Sequence, residues 1–96
     1  MVKAAKGGKS LQKRVKFVVR LPQAEEVILT GDFVSWDPAG IPLHHGREDL
    51  WYTMLELAPG THEYRLRVDG EWSDDPAADQ RVPNAFGTEN CLLKVD

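Results

Sequence analysis

The strongest constraint on the fold is a period-two alternation of apolar side chains in short segments along the chain. In the first segment four apolar residues share one face of an extended chain that ends at Pro22; they are Val15, Phe17, Val19 and Leu21. Further strands are predicted over residues 26–31, 50–57, 61–68 and 90–95. Because no segment shows a convincing 3.6-residue stripe, we predict an all-β, immunoglobulin-like antiparallel β-sandwich of the early-set type.

The length and the cysteine content limit the organisation of the chain. Its 96 residues have room for one domain with a single core. We predict that residues 1–12 form a flexible basic segment and that residues 13–96 form the folded domain. The single cysteine, Cys91, excludes an internal disulfide framework.

Charge is distributed unevenly along the sequence. The first twenty residues carry seven Lys or Arg and no acid, whereas residues 21–96 carry five basic and fifteen acidic side chains, for a net charge of −3. An acidic body repels phosphate groups, so we expect no nucleic acid partner. The sequence contains neither a signal-peptide stretch nor an apolar run near eighteen residues, so we expect a soluble, cytoplasmic protein without a membrane contact.

The pair Asp69-Gly70 predicts a tight hairpin, because a two-residue type I′ turn needs a positive φ at both positions. With these two residues in the turn, Arg67 pairs with Trp72, and paired residues lie on the same face of a sheet. The apolar alternation of residues 61–68 faces the core, which leaves Arg65 and Arg67 on the outside. The register therefore places Trp72 outside the core, next to arginine side chains.

A second tryptophan also lies where packing alone does not require one. Trp36 stands among Ser, Asp, Pro and Gly in a segment typical of a solvated loop. Exposed tryptophans usually mark a contact surface, and the C–H face of a glucose ring can stack on an indole. Arg65 and Asn90 could supply polar contacts, whereas Arg67 is interpreted as part of a solvated charged face. Trp51, in contrast, alternates with Thr53, Leu55 and Leu57 and is predicted to belong to the core or its rim.

Three separated motifs, "ILTGDFVSWDPAGIPL", "LELAPGTHEYRLRVDGEWSDDP" and "NAFGTEN", resemble family 48 carbohydrate-binding modules. Within that family the chain resembles the glycogen-binding domains of AMP-activated protein kinase β-subunits. The resemblance covers about residues 15–95 and implies a binding site for α-1,4-linked glucans. It implies roles for Trp36 and Trp72 in stacking, for Arg65 in place of a family lysine, and for Phe86, Thr88 and Asn90. Cys91 replaces a second family asparagine, which argues against a polar role at that position.

The functional hypothesis is a non-catalytic module that binds glycogen, starch or maltooligosaccharides. No cofactor is expected, and a possible protein partner is one of the glycogen-metabolising enzymes. The alternative is a protein–protein interaction or scaffold domain of a larger glycogen-related enzyme or kinase complex. An enzyme is not expected, because the adjacent carboxylates of Asp74-Asp75, interpreted as a turn, and of Glu25-Glu26 cannot flank one bond. The adjacent histidines His44 and His45 lack further ligands at metal spacing, so no metal site is predicted.

Overall fold

A computed structural model of the chain describes residues 12–96. These residues contain nine strands, which are β1 (Lys13–Arg20), β2 (Val27–Gly31), β3 (Ile41–Pro42), β4 (His44–His45), β5 (Leu50–Leu57), β6 (Gly60–Val68), β7 (Glu71–Ser73), β8 (Arg81–Pro83) and β9 (Glu89–Val95). A single-turn 3-10 helix, Asp32–Val34, follows β2. The predicted flexible segment, residues 1–12, lies outside the described residues except for Gln12.

The strands form two sheets in which all the pairs are antiparallel. One sheet has three strands in the order β1-β5-β4. The other has six strands in the order β3-β2-β6-β9-β8, and β7 pairs with the end of β6 beyond the part that pairs with β9. The predicted all-β sandwich is confirmed. The short strands β3, β4 and β8 escaped sequence analysis because two or three residues are too few to show an alternation.

The core lies between the inward faces of the two sheets. Phe17 of β1 and Tyr64 of β6 meet edge to face across it, with ring centroids 5.3 Å apart. Leu29 and Leu66 are fully buried beside them. Trp51 is 4% exposed, so its predicted place in the core is confirmed.

A buried hydrogen bond between Tyr64 and Asp75 was missed by the interpretation of Asp74-Asp75 as a simple turn. The Tyr64 hydroxyl donates to Asp75 Oδ2 over 2.7 Å, and Asp75 is only 5% exposed. The second carboxylate oxygen accepts the backbone N–H of Ala77. Burial, followed by the hydrogen bond to Asp75, raises the pKa of Tyr64 well above its ordinary value. Nothing in the sequence marks this pair, because the contact depends on how the chain folds back over β6.

We expect the stability of the domain to fall as the pH rises above about 10, where an unfolded tyrosine ionises. Tyr64 keeps its proton in the folded state because its pKa is raised, so the unfolded state binds fewer protons and gains stability from alkali. Burial also raises the pKa of the Cys91 thiol. Ionisation of this thiol in the unfolded state therefore lowers the stability of the domain further from about pH 8.5 upward. Thermal melts between pH 8 and 11 should show a steeper decline for the parent than for Tyr64→Phe. Equal slopes would contradict this role of Tyr64.

Candidate functional site

The outer face of the six-stranded sheet carries an open groove of about 800 Å³. Tyr64 and Leu66 point into the core, so the side chains that alternate with them on β6 point outward into the groove. Its lining consists of Trp36, Glu63, Arg65, Trp72, Asn84, Ala85, Phe86, Thr88 and Asn90. All six residues predicted to contact a ligand therefore lie around one groove. A second hollow, of about 530 Å³ between the 3-10 helix and the end of β5, contains none of them.

Trp72 is positioned by the predicted hairpin. Asp69 and Gly70 have φ values of 52° and 87°, as a type I′ turn requires, and Arg67 pairs with Trp72. The Asp69 carboxylate also accepts the backbone N–H groups of Glu25 and Glu26, at 2.9 and 2.8 Å, which ties the turn to the start of β2. The indole of Trp72 is 46% exposed, so the predicted outward placement is confirmed.

Trp36 is held at the groove by a loop in an unusual backbone conformation. Its φ of 56° lies in the left-handed region, which costs a bulky residue about 1 to 3 kcal/mol. The Trp36 N–H donates to the carbonyl of Gly31 over 2.9 Å. The buried hydroxyl of Thr30 donates to the carbonyl of Asp37 over 2.8 Å and holds the other side of the loop. The loop therefore presents a half-buried indole to the groove in a fixed position.

The Gly-Asp pair before this loop anchors it to β6. A Cβ at position 31 would collide with the carbonyl oxygen of Glu63 and lie 2.7 Å from the ring of Phe33, so only glycine fits this close approach. Asp32 Oδ2 accepts the backbone N–H of Glu63 over 3.0 Å. The loop with Trp36 and the strand with Arg65 are therefore joined as one rigid unit.

Arg65 lies between the polar and the aromatic parts of the groove. One of its terminal nitrogens forms an ion pair with Asp74 at 3.0 Å, and the other donates to Thr88 Oγ1 at 3.4 Å. Its guanidinium carbon lies 5.9 Å from the ring centroid of Trp72, within the range of a cation–π contact. Since Asp74 neutralises its charge, Arg65 is a fixed hydrogen-bond donor more than a free cation.

Arg67 does more than the solvated charge that the sequence suggested. It is half-buried and lies 5.8 Å from the ring centroid of Trp72. Its terminal nitrogens donate to the carbonyl of Gly70, at 2.9 Å, and to that of Pro38, at 3.2 Å. Arg67 therefore connects the hairpin turn to the loop that carries Trp36.

The remaining predicted residues come from the connection between β8 and β9 and from the start of β9. Phe86 is 88% exposed at the tip of the turn over residues 84–88. Thr88 closes that turn, and Asn90 is 8% exposed on the outer face of β9. Cys91, next to Asn90, is fully buried on the opposite face of the sheet, away from the groove.

Glu63 and Asn84 also line the groove, although neither was predicted as a binding residue from the sequence. Glu63 looks like any solvated charge on an alternating strand, so the sequence contains no signal for it. The Asn-Ala-Phe-Gly segment could have indicated Asn84, because asparagine side chains commonly hydrogen-bond to backbone groups in turns.

The groove combines flat aromatic surfaces with fixed hydrogen-bonding groups. Among its described lining residues Glu63 is a lone carboxylate, and it accepts a hydrogen bond from Asn90 at 2.9 Å. In residues 12–96 no group of three or more His, Cys, Asp or Glu side chains is arranged to hold a metal ion. The same part of the chain has no helix that is long and apolar enough to cross a membrane. The arrangement suits recognition of a flat ligand with an apolar face and a polar rim.

An antiparallel sandwich that displays exposed aromatic side chains in an open groove has the architecture of a carbohydrate-binding module. Residues 12–96 match the family described as the glycogen recognition site of AMP-activated protein kinase. The chain therefore belongs to this family of glycogen-recognition modules, which is non-catalytic.

Similar proteins include β-subunits of the kinase. Over 71 residues the chain is 32% identical to 5'-AMP-activated protein kinase subunit beta-1 of Sus scrofa, an alignment that covers 74% of this chain and 55% of that protein. The human beta-1 subunit is also 32% identical and the beta-2 subunit of Mus musculus 37% identical, each over 74% of this chain and 25% of the relative. The chain thus spans about half of the pig relative and a quarter of the other two.

Proposed function

We propose that the groove binds α-1,4-linked glucans, such as glycogen, starch or maltooligosaccharides, by stacking sugar rings on Trp36 and Trp72. Arg65, Thr88 and Asn90 then donate or accept hydrogen bonds at the rim, and Phe86 contacts the apolar edge of the ligand. The observation that carries the proposal is the convergence of all six side chains on one groove.

The physical basis of the proposal is the match between groove and ligand. A glucose ring has an apolar C–H face and a rim of hydroxyls, and each stack on an indole contributes about 0.5 to 1.5 kcal/mol by analogy with aromatic pairs. The groove is open, and a shallow site buries little ligand surface, so we expect single oligosaccharides to bind with micromolar to millimolar dissociation constants, about −8 to −4 kcal/mol. Polymers bind more tightly because neighbouring sites raise the effective concentration.

The test is native gel electrophoresis of the full chain with and without soluble glycogen, repeated at about 50 and 300 mM salt. We expect glycogen to retard the protein equally at both salt concentrations, because neutral sugars release no counterions. Arg65 is already paired with Asp74, which further reduces any dependence on salt. Unchanged mobility at high glycogen concentration would refute the proposal. Retardation that disappears at the higher salt would instead indicate an anionic ligand and the basic residues of the first twenty positions.

A second candidate function is docking of a protein partner, such as a glycogen-metabolising enzyme or a kinase complex in the cytoplasm. It is supported by the outward face of the three-stranded sheet, where Val18, Tyr52 and Met54 are exposed. Val18 pairs with Tyr52, so the two form one apolar surface away from the groove. The names of the relatives, which are kinase subunits, are consistent with such an assembly. If glycogen does not retard the chain in the native gel, docking through this surface becomes the favoured function.

A further inference from the structure

The turn over residues 84–88 is closed by a backbone hydrogen bond from the Asn84 N–H to the Thr88 carbonyl, at 3.0 Å, and within the turn its further bonds come from one side chain, that of Asn84. Its Oδ1 accepts the backbone N–H groups of Phe86 and Thr88, at 2.9 and 3.2 Å, and the Thr88 hydroxyl at 3.0 Å. Its Nδ2 donates to Thr88 Oγ1 at 2.8 Å and to Asn90 Oδ1 at 2.9 Å. One amide group therefore connects both ends of the turn and the first residues of β9.

Phe86 depends on this turn for its position. Its ring is 88% exposed, so core packing does not hold it in place. Gly87 has a φ of 81°, a left-handed conformation that favours glycine, and a glycine has no side chain with which to support the tip. Since a mobile side chain loses rotamer and backbone freedom when a ligand orders it, a turn ordered in advance improves binding. The hydrogen bonds from Asn84 supply that order.

Asn84 also determines which atoms Asn90 can offer to a ligand. Asn90 Oδ1 accepts from Asn84, and Asn90 Nδ2 donates to Glu63 Oε1 at 2.9 Å. These two bonds fix the orientation of the amide and leave one N–H and one oxygen lone pair without a partner among the bonds described. A pair of sugar hydroxyls can use such a donor and acceptor together.

We propose that Asn84 is a positioning residue of the groove, which orders the Phe86 turn and sets the orientation of the Asn90 amide before a glucan binds. The inference rests on the proposed function, because it concerns the same groove. It adds a residue that acts through its neighbours.

The test compares Asn84→Ala and Asn84→Asp in the full chain. Asn84→Ala removes all the side-chain bonds and should weaken glycogen binding about fivefold to tenfold, the loss expected for one or two hydrogen bonds. Asn84→Asp keeps an acceptor for the two backbone N–H groups and the Thr88 hydroxyl but loses the donors to Thr88 Oγ1 and to Asn90, so its loss should be smaller. Gln23→Ala, which removes another exposed amide far along the sequence, is the matched control and should bind like the parent.

Two measurements separate positioning from a general loss of stability. Amide hydrogen exchange at Phe86 and Thr88 should become faster in Asn84→Ala and stay close to the parent in Asn84→Asp, while the exchange of core amides stays unchanged in both. In a double-mutant cycle, Asn84→Ala should cost at least about twofold less in a Phe86→Ala background than alone, because coupled residues are not additive.

The outcomes separate this inference from the proposed function. Parent-like binding by Asn84→Ala, full additivity with Phe86→Ala, or a large drop in melting temperature for both Asn84 variants would overturn the positioning role. Trp72→Ala is measured beside them. If Trp72→Ala loses binding and Asn84→Ala does not, only the inference fails. If Trp72→Ala binds like the parent, the proposed function itself fails.

Discussion

Trp51→Ala is expected to lower the free energy of unfolding by about 3 to 5 kcal/mol, the cost of truncating a buried aromatic side chain. The indole is 4% exposed in the core, and its Nε1 has no hydrogen-bond partner among the described residues. Its loss therefore removes packing and leaves a cavity without breaking a hydrogen bond. One face also stacks on His45, with ring centroids 4.3 Å apart. A domain of this size has about 5 to 15 kcal/mol in total, so the variant retains a small margin.

Denaturant unfolding of Trp51→Ala and of the parent measures this loss. The folded fraction of the variant should bind glycogen as the parent does, because Trp51 faces away from the groove. Tyr52→Ala, which truncates the outward-facing neighbour on the same strand, is the control and should cost only about 1 kcal/mol, from its cross-strand contacts with His44 and Lys16. A well-folded Trp51→Ala that no longer binds glucan would show that the assignment of the two faces is wrong.

Trp36→Ala and Trp72→Ala should each weaken glucan binding about tenfold or more, which corresponds to about 1.4 kcal/mol of lost stacking. The effects are expected in binding because both indoles border the groove, Trp72 on the exposed hairpin and Trp36 on its anchored loop. Trp72→Ala should lower stability by about 1 kcal/mol, because it removes the contacts of the indole with Arg65 and Arg67. Trp36→Ala removes a half-buried indole and should also cost about 1 kcal/mol. The loop itself should persist, because it is held by backbone and Thr30 bonds that the indole does not make.

Calorimetry with a short maltooligosaccharide and thermal melts of the same samples provide the measurement. Tyr52→Ala again serves as the control, since it removes an exposed aromatic side chain from the other sheet and should bind like the parent. If Trp72→Ala unfolds the domain or binds normally, the stacking role is refuted. Equal losses in the tryptophan variants and in Tyr52→Ala would indicate a nonspecific aromatic effect.

Much of the fold and part of the candidate site follow from local sequence patterns. The alternation in β1 and β5 identifies their buried faces and places Trp51 inside, because successive side chains of a strand point to opposite sides. Asp69-Gly70 determines the hairpin register and hence the outward position of Trp72, since a two-residue turn leaves no freedom in pairing. Trp36 was indicated by its place in a polar loop and Asn90 as a possible polar contact, whereas Phe86 and Thr88 were suggested only by the family motifs. The binding roles of all four remain predictions.

Only the tertiary structure determined which polar groups from segments distant in sequence form hydrogen bonds with each other. Asp75 became a buried partner of Tyr64, and Asn84, Asn90 and Glu63 became one hydrogen-bonded chain beside the groove. A hydrogen bond needs donor and acceptor within about 3 Å at a suitable angle, which no residue pattern encodes across separate strands. Local backbone rules therefore determined the strands, the hairpin and the outward tryptophan of this protein, whereas the packing of β6 against its neighbours determined the polar side of the groove.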